Sequence, residues 1–219
     1  ALLSDPRRVD VGNVALRQTC SPVPTGIDDP TVACPSGQEP LFGRPPLQVE
    51  ARVDGQPYVL YVNHFKSKRG DEADNAPRRV LQAAFVAGLL AAADAEPNAV
   101  ALGDFNDLLA SDTLAQFGGE VNLFARYVPP ADRYTYIYDG RAEVLDHFVA
   151  TPGLDAYYLA GGPVHINADF PEKLTPDTTS LRSSDHDPLF VRFAFRRTGV
   201  SDALVGAVSG AVGSFWSPD

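Results

Sequence analysis

The sequence has no methionine, only two cysteines and no apolar run close to the roughly eighteen residues needed to cross a bilayer. Residues 1–20 show no signal-peptide pattern. Basic residues are also few, since 18 Lys and Arg face 28 Asp and Glu and leave a net charge of −10. Such a charge opposes general binding to a phosphate backbone. A nucleic-acid function would therefore need a metal cation and a few well-placed basic groups.

The two cysteines, Cys20 and Cys34, lie in a stretch rich in proline, glycine, serine and aspartate, which favours an irregular loop. We predict that they form a disulfide, and the alternative is a pair of unpaired surface thiols. Closing a loop of about 15 residues would stabilise the fold by roughly 3 kcal/mol. A disulfide is typical of proteins outside the cytoplasm, so we expect a secreted, extracellular protein.

Apolar periodicity predicts one globular α/β unit, because 44% hydrophobic residues suffice for a single core and strands alternate with a helix. Residues 44–62 read as a hairpin that turns at Asp54-Gly55. Helical spacing then begins at Leu81 and ends before Pro97. The clearest predicted strands are Leu47–Val53, Tyr58–Val62, Ala99–Leu102, Val144–Ala150 and Leu189–Phe195.

The tail, residues 198–219, differs from the rest because an apolar residue recurs every four positions from Val200 to Val212. This spacing predicts a short amphipathic helix. This helix would either pack on the parent domain or dock to a neighbouring subunit.

Polar clusters follow the predicted strands, at residues 63–68 (NHFKSK), 103–107 (GDFND), 145–147 (LDH) and 183–188 (SSDHDP). Each cluster alone has an ordinary explanation as a turn, a helix cap or a structural histidine. Together they contain carboxylates for a divalent metal, an amide, and imidazoles for proton transfer. These are the groups that phosphodiester cleavage needs, provided that the fold brings them together.

The ordered motifs NHFKSK, GDFND, LDH and SDHDP resemble the endonuclease/exonuclease/phosphatase superfamily, which is exonuclease III-like and deoxyribonuclease I-like. RPPL (44–47), NAPRRVLQA (75–83), YTYIYDG (134–140) and HINAD (165–169) are similar to secreted bacterial extracellular nucleases. The resemblance implies a four-layer α/β/β/α sandwich with mixed sheets. Residues 1–197 would form its C-terminal two-thirds, incomplete because the N-terminal portion is missing. That portion would supply a metal-binding glutamate and an asparagine.

The resemblance also implies catalytic roles for five residues. His64 would contact the scissile phosphate and protonate the leaving oxygen, and Asp104 would position or activate the attacking water. Asn106 would hold a phosphate oxygen. His186 would act at the phosphate as a base or an electrostatic stabiliser, with Asp146 orienting its ring.

A metal site follows from the same resemblance, with Asp185 facing Mg²⁺ or Mn²⁺. The acidic loop that holds Asp71, Glu72 and Asp74 is a candidate for structural Ca²⁺, and an exposed acidic loop is the alternative.

Substrate contacts are expected from Asn63, Lys66, Arg78 and Tyr136. Arg78 and its neighbour Arg79 have a second interpretation as solvated helix charges, and Tyr136 has one as packing between sheets. His165 belongs to the HINAD motif, but the sequence assigns it no chemistry.

The sequence therefore predicts a divalent-metal-dependent phosphodiester hydrolase, namely an extracellular nuclease that cleaves DNA and/or RNA. A phospholipid or sphingomyelin phosphodiesterase of the same fold is one alternative, and a catalytically silent structural or assembly module is another. A calcineurin-like metallophosphatase is disfavoured because Asn63-His64 precedes the GDxxD element instead of following it. A serine hydrolase is disfavoured because no GxSxG occurs.

The expected partners are a nucleic-acid substrate and a missing N-terminal fragment or second chain that completes the domain. A neighbouring subunit bound through the tail is a further candidate. Without the completing portion, this chain alone is expected to be inactive.

Overall fold

The structure, a computed structural model, describes residues 4–53, 55–93, 98–171 and 181–194. The predicted tail helix lies outside these residues. The strands are β1 (Val9–Leu16), β2 (Cys20–Ser21), β3 (Glu39–Pro40), β4 (Leu47–Val53), β5 (Gln56–His64), β6 (Ala99–Asp104), β7 (Val121–Asn122), β8 (Tyr136–Tyr138), β9 (Arg141–Glu143), β10 (Asp146–Ala150), β11 (Tyr158–Pro163) and β12 (Leu189–Phe193). The helices are α1 (Glu72–Ala92), α2 (Asp112–Ala115), α3 (Leu123–Tyr127) and α4 (Pro152–Asp155).

A six-stranded sheet in the order β1-β4-β5-β6-β10-β7 forms the centre of the fold. Strands β5 and β6 are parallel, and the other neighbours pair antiparallel, so the sheet is mixed. The predicted hairpin, the helix and the three later strands are confirmed. The helix starts about two turns earlier than its apolar pattern, because Asp71 caps it by accepting a hydrogen bond from the Ala73 amide.

The two faces of the central sheet bury two separate apolar cores. Along β6, Ala99 and Ala101 pack towards Val86 and Leu90 of α1. The alternate residues of β6, Val100 and Leu102, pack on the opposite side against β12. This alternation explains why β6 is apolar throughout. The structure confirms an α/β sandwich with a mixed sheet.

The disulfide between Cys20 and Cys34 is confirmed, with an S–S distance of 2.07 Å. Its loop is held by Glu39, whose carboxylate accepts hydrogen bonds from the backbone amides of Thr25 and Gly26. In the part of the chain that the structure describes, no helix combines the length and apolarity required of a membrane span.

Arg79 is the largest fully buried side chain of the described residues, and this corrects both sequence-based interpretations of it. Its guanidinium pairs with Glu72 on the same helix and donates to the Asp107 carboxylate at 3.2 Å. It also donates to the Lys66 carbonyl at 3.4 Å. The arginine was predicted to be solvated or to touch substrate, but it fastens α1 to the loops that follow β5 and β6.

We expect Arg79→Met to lower the free energy of unfolding by roughly 3 kcal/mol, because it leaves the Asp107 carboxylate without its buried counter-ion. Urea unfolding monitored by circular dichroism measures the loss. Arg52→Met is the control, since Arg52 is exposed and, among the residues that the structure describes, its guanidinium donates to the Gly55 carbonyl on the same hairpin. Equal stabilities of the two variants would contradict the structural role of Arg79.

Candidate active site

Strand register places three of the predicted site residues side by side. His64 at the end of β5 is paired with Asp104 at the end of β6, and Asp104 is paired with Asp146 at the start of β10. The His64 Nε2 atom lies 3.7 Å from the Asp104 Oδ2 atom. Residues that lie 40 or more positions apart in the chain therefore meet at one edge of the sheet.

Gly103 is required where β5 and β6 approach each other. Its φ of +119° is a backbone conformation that residues with a side chain rarely adopt. A Cβ atom at this position would lie 2.2 Å from the Asn63 carbonyl oxygen. The glycine of the GDFND motif thus allows the close approach that sets Asp104 beside His64.

Asn106 fixes the Asp104 carboxylate. Its backbone amide donates to Asp104 Oδ1 at 2.7 Å, and its side-chain amide donates to Asp104 Oδ2 at 3.0 Å. The same side-chain nitrogen donates to the Phe65 carbonyl at 3.0 Å. Because both side-chain hydrogens have partners within the protein, Asn106 in this arrangement orients a carboxylate. Its predicted contact with a phosphate oxygen stays a prediction.

His186 reaches the same place from the loop that precedes β12. Its Nδ1 donates to Asp146 Oδ2 at 2.6 Å, and its backbone forms a β-bridge with Tyr136. Burial alone would lower the pKa of His186, but the hydrogen bond and the negative charge of Asp146 outweigh it and raise the pKa to about 9. The ring is therefore a cation at neutral pH, which suits the expected role of electrostatic stabiliser and not that of a base.

Asp187 holds the loop that carries His186, a role that was not predicted from the sequence. One of its oxygens accepts from the amides of Ile166, Asn167 and Ala168, and the other pairs with His165 at 2.8 Å. Asp187 is 3% exposed, so these contacts satisfy a buried charge. The HINAD motif drew attention to this segment in the sequence. Its partner, Asp187, lies about twenty positions further along the chain, so the motif alone did not reveal the contact.

Asp104, Asp146 and His186 form a group whose ligand atoms lie within 4.8 Å of one another. Burial and the neighbouring Asp146 carboxylate raise the pKa of Asp104, and a divalent cation would relieve this repulsion. The two carboxylates suit Mg²⁺ or Mn²⁺, and His186, which is protonated and donates to Asp146, would stand beside the ion and not ligate it. The residues thus fit the metal that the sequence predicts.

Asp185, the predicted metal ligand, is exposed and stands outside this group of three. Its charge still acts on His186 and Asp104. In the predicted calcium loop, Asp71 is used as the helix cap and Glu72 as a partner of Arg79.

Arg44 stands beside His64, and the sequence did not predict this contact. Its Nη1 atom lies 3.0 Å from both ring nitrogens of His64. Burial and the Arg44 cation lower the pKa of His64 to about 4. His64 is therefore neutral at pH 7, and only an anion near Arg44 would favour the protonated form that its predicted role as a proton donor requires.

Of the four predicted substrate contacts, Tyr136 lies beside His186, with the two ring centroids 4.7 Å apart. Asn63 is buried and donates to the Tyr61 carbonyl. Arg78 donates to the carbonyls of Leu41 and Thr25, so its guanidinium holds the disulfide loop instead of facing the site. The side chain of the fourth, Lys66, is half-buried.

Residues 17–186 match the sequence model of the Endonuclease/Exonuclease/phosphatase family, and the chain belongs to this family. Its members typically hydrolyse phosphodiester bonds. A search among curated proteins finds no match.

Solved structures of the same fold include a humanized D. rerio TDP2, with 16% sequence identity and a TM-score of 0.54. A 3′ phosphatase, NExo from Neisseria, bound to a product DNA hairpin, has 14% identity and a TM-score of 0.52. A family protein from Bacteroides thetaiotaomicron has 13% identity and a TM-score of 0.53. The matches cover 84%, 85% and 84% of this chain and 66%, 72% and 63% of those chains, respectively. The chain thus spans about two thirds of the structures it matches.

We expect Asp146→Asn to lower the pKa of His186 from about 9 towards the ordinary value of 6.5, because the charged hydrogen-bond partner is lost. NMR titration of the His186 ring in metal-free protein measures the change. Asp112→Asn, an exposed substitution on α2, is the control and should leave the titration unchanged.

The same pair predicts how stability depends on pH. The folded protein holds the His186 proton more tightly than the unfolded chain does, because folding raises the pKa of this ring from 6.5 to about 9. The pair therefore stabilises the fold fully below pH 6.5, and this stabilisation is lost as the pH rises through about 9. The stability difference between wild type and Asp146→Asn should therefore shrink across this range. A difference that grows with pH would show that the pair does not hold a proton on His186.

Proposed function

We propose that the protein is a secreted, divalent-metal-dependent nuclease. The observation that carries this proposal is the convergence of His64, Asp104, Asp146 and His186 at one end of the central sheet. The disulfide between Cys20 and Cys34 supports a location outside the cytoplasm, because such bonds persist in oxidising compartments.

Asp104 is the group best placed to position the attacking water. Asn106 holds its carboxylate in place, and His64 and Asp146 lie beside it on the two neighbouring strands. A Mg²⁺ or Mn²⁺ ion held by Asp104 and Asp146, with Asp185 at the rim, would polarise the phosphoryl group and stabilise the charge that develops on it. Asp104 itself would then hold the water by a hydrogen bond on the side away from the leaving oxygen.

His186 and Arg44 supply the positive charge that a phosphate needs in an otherwise acidic protein. His186 carries a proton because Asp146 stabilises its cation. Arg44 lies against neutral His64, so a phosphate that bound between them would accept from the guanidinium. Such a phosphate would also raise the pKa of His64 and prepare it to protonate the leaving oxygen.

We further propose that additional chain covers part of this fold in the active protein. Val14 and Leu16 of β1 are 50% and 65% exposed, although they pair with Val49 and Leu47 of the apolar β4 strand. Apolar residues side by side on one strand are typical of a face that another element covers. The predicted N-terminal portion or a second chain is our candidate for this element, and activity is proposed for the completed protein.

Asp104→Asn in the completed protein should lower kcat for DNA hydrolysis with Mg²⁺ by about 10²- to 10⁴-fold, because the group that orients the water loses its charge. EDTA should abolish the activity of the wild type, and Mn²⁺ should restore it. Asp112→Asn is the matched control, since Asp112 is exposed on α2 and belongs to none of the site motifs.

Substrate class is tested in the same assay with single-stranded DNA, duplex DNA, RNA and sphingomyelin vesicles in parallel. If the protein hydrolyses the vesicles and none of the nucleic acids, the proposed nuclease function is wrong and the protein is a lipid phosphodiesterase. Nucleic-acid hydrolysis that Asp104→Asn leaves intact would contradict the assigned site.

A further inference from the structure

A small hairpin of β8 and β9 projects from the candidate active site. Its turn residues, Asp139 and Gly140, have φ angles of 48° and 73°. Two consecutive left-handed residues are the signature of a tight two-residue hairpin turn. The hairpin therefore has a defined shape up to its tip.

Thr135, which is fully buried, fixes the base of the hairpin to the start of β10 and to the loop that carries His186. Its hydroxyl oxygen accepts from the amides of Leu145 and Asp146, each at 3.2 Å. Its carbonyl accepts from the amide of Asp187 at 2.8 Å. The hairpin is thus held beside the loop that carries His186.

Aromatic rings form a row along one face of this hairpin. The Tyr136 ring lies 4.7 Å from the His186 ring, and the Tyr138 ring lies 6.4 Å from the Tyr136 ring at an interplanar angle of 13°. Tyr136 and Tyr138 are two positions apart on a strand and so share a face. Tyr138 is 64% exposed, which leaves most of its ring available.

We propose that Tyr136 and Tyr138 form a stacking platform for the nucleobases that flank the scissile phosphate, so that the site takes unpaired, single-stranded nucleic acid. This inference rests on the proposed nuclease function. Every base has a π-face, and stacking on an aromatic side chain is tolerant of sequence. In a duplex these faces are covered by neighbouring bases, so only unpaired strands can use the platform.

The composition of the tip favours nucleic acid over a lipid surface. Asp139, Gly140 and Arg141 are all exposed, whereas a membrane-inserting tip would be apolar. Arg141 is the cross-strand partner of Tyr138. A cation next to an exposed ring suits a strand that carries a phosphate beside each base.

The test is the binding of a fluorescent eight-nucleotide single strand, measured by anisotropy with Ca²⁺ in place of Mg²⁺ to suppress cleavage. Tyr138→Ala should weaken binding roughly 5- to 150-fold, which corresponds to about 1 to 3 kcal/mol for one stacked base. Tyr138→Phe keeps the ring and should bind like the wild type. Tyr127→Ala removes another exposed ring, which belongs to α3 and stacks on Tyr158 of β11, and is the control.

An oligonucleotide with abasic residues in place of the flanking nucleotides separates stacking from other effects. Tyr138→Ala and the wild type should bind this strand equally. An equal loss on both strands, an unchanged affinity for the ordinary strand, or a Tyr138-dependent affinity for lipid vesicles would each overturn the platform.

These assays use the completed protein, and cleavage by its wild type with Mg²⁺ distinguishes failure of the stacking platform from failure of the proposed function. If the wild type cleaves single strands and Tyr138→Ala matches it in affinity and kcat/KM, the platform is wrong and the nuclease stands. If the wild type neither binds nor cleaves any nucleic acid, both proposals fail.

Discussion

The pairing register of β5, β6 and β10 is the constraint on which the site depends. It sets His64, Asp104 and Asp146 at neighbouring positions on three adjacent strands. Because side chains alternate between the faces of a sheet, a slip of one residue in any of these strands would send its functional group to the other face. Gly103 permits this register, since any side chain there would collide with β5.

The loops around this frame are held by buried charges with complete sets of partners. Arg79 fastens the Asp107 loop to α1, and Asp187 gathers the HINAD segment around the loop of His186. A buried charge is costly without partners, and removing one partner leaves the other uncompensated. The same contacts that stabilise the fold therefore keep His186 and Asp104 within reach of each other.

Local patterns predicted the parts of the fold that are set by neighbouring residues. The β4-β5 hairpin, α1 and β6 followed from apolar periodicity, and the motifs pointed to strand ends where Asp104 and His64 do meet. The two-residue strands and the short helices were not predicted, because segments of so few residues are too short to show an apolar periodicity. The positions of Arg79 and Arg44 depend on partners distant in the chain, and no local pattern reveals whether an arginine will be solvated or buried.

The proposed function requires that the carboxylates of Asp104 and Asp146 bind a divalent cation beside His186. The most direct measurement is anomalous diffraction from crystals of the protein soaked in Mn²⁺. We predict an anomalous peak within coordination distance of Asp104 or Asp146, and its loss in crystals of Asp104→Asn. A well-ordered site with no peak there, or a peak that persists unchanged in the variant, would contradict the account.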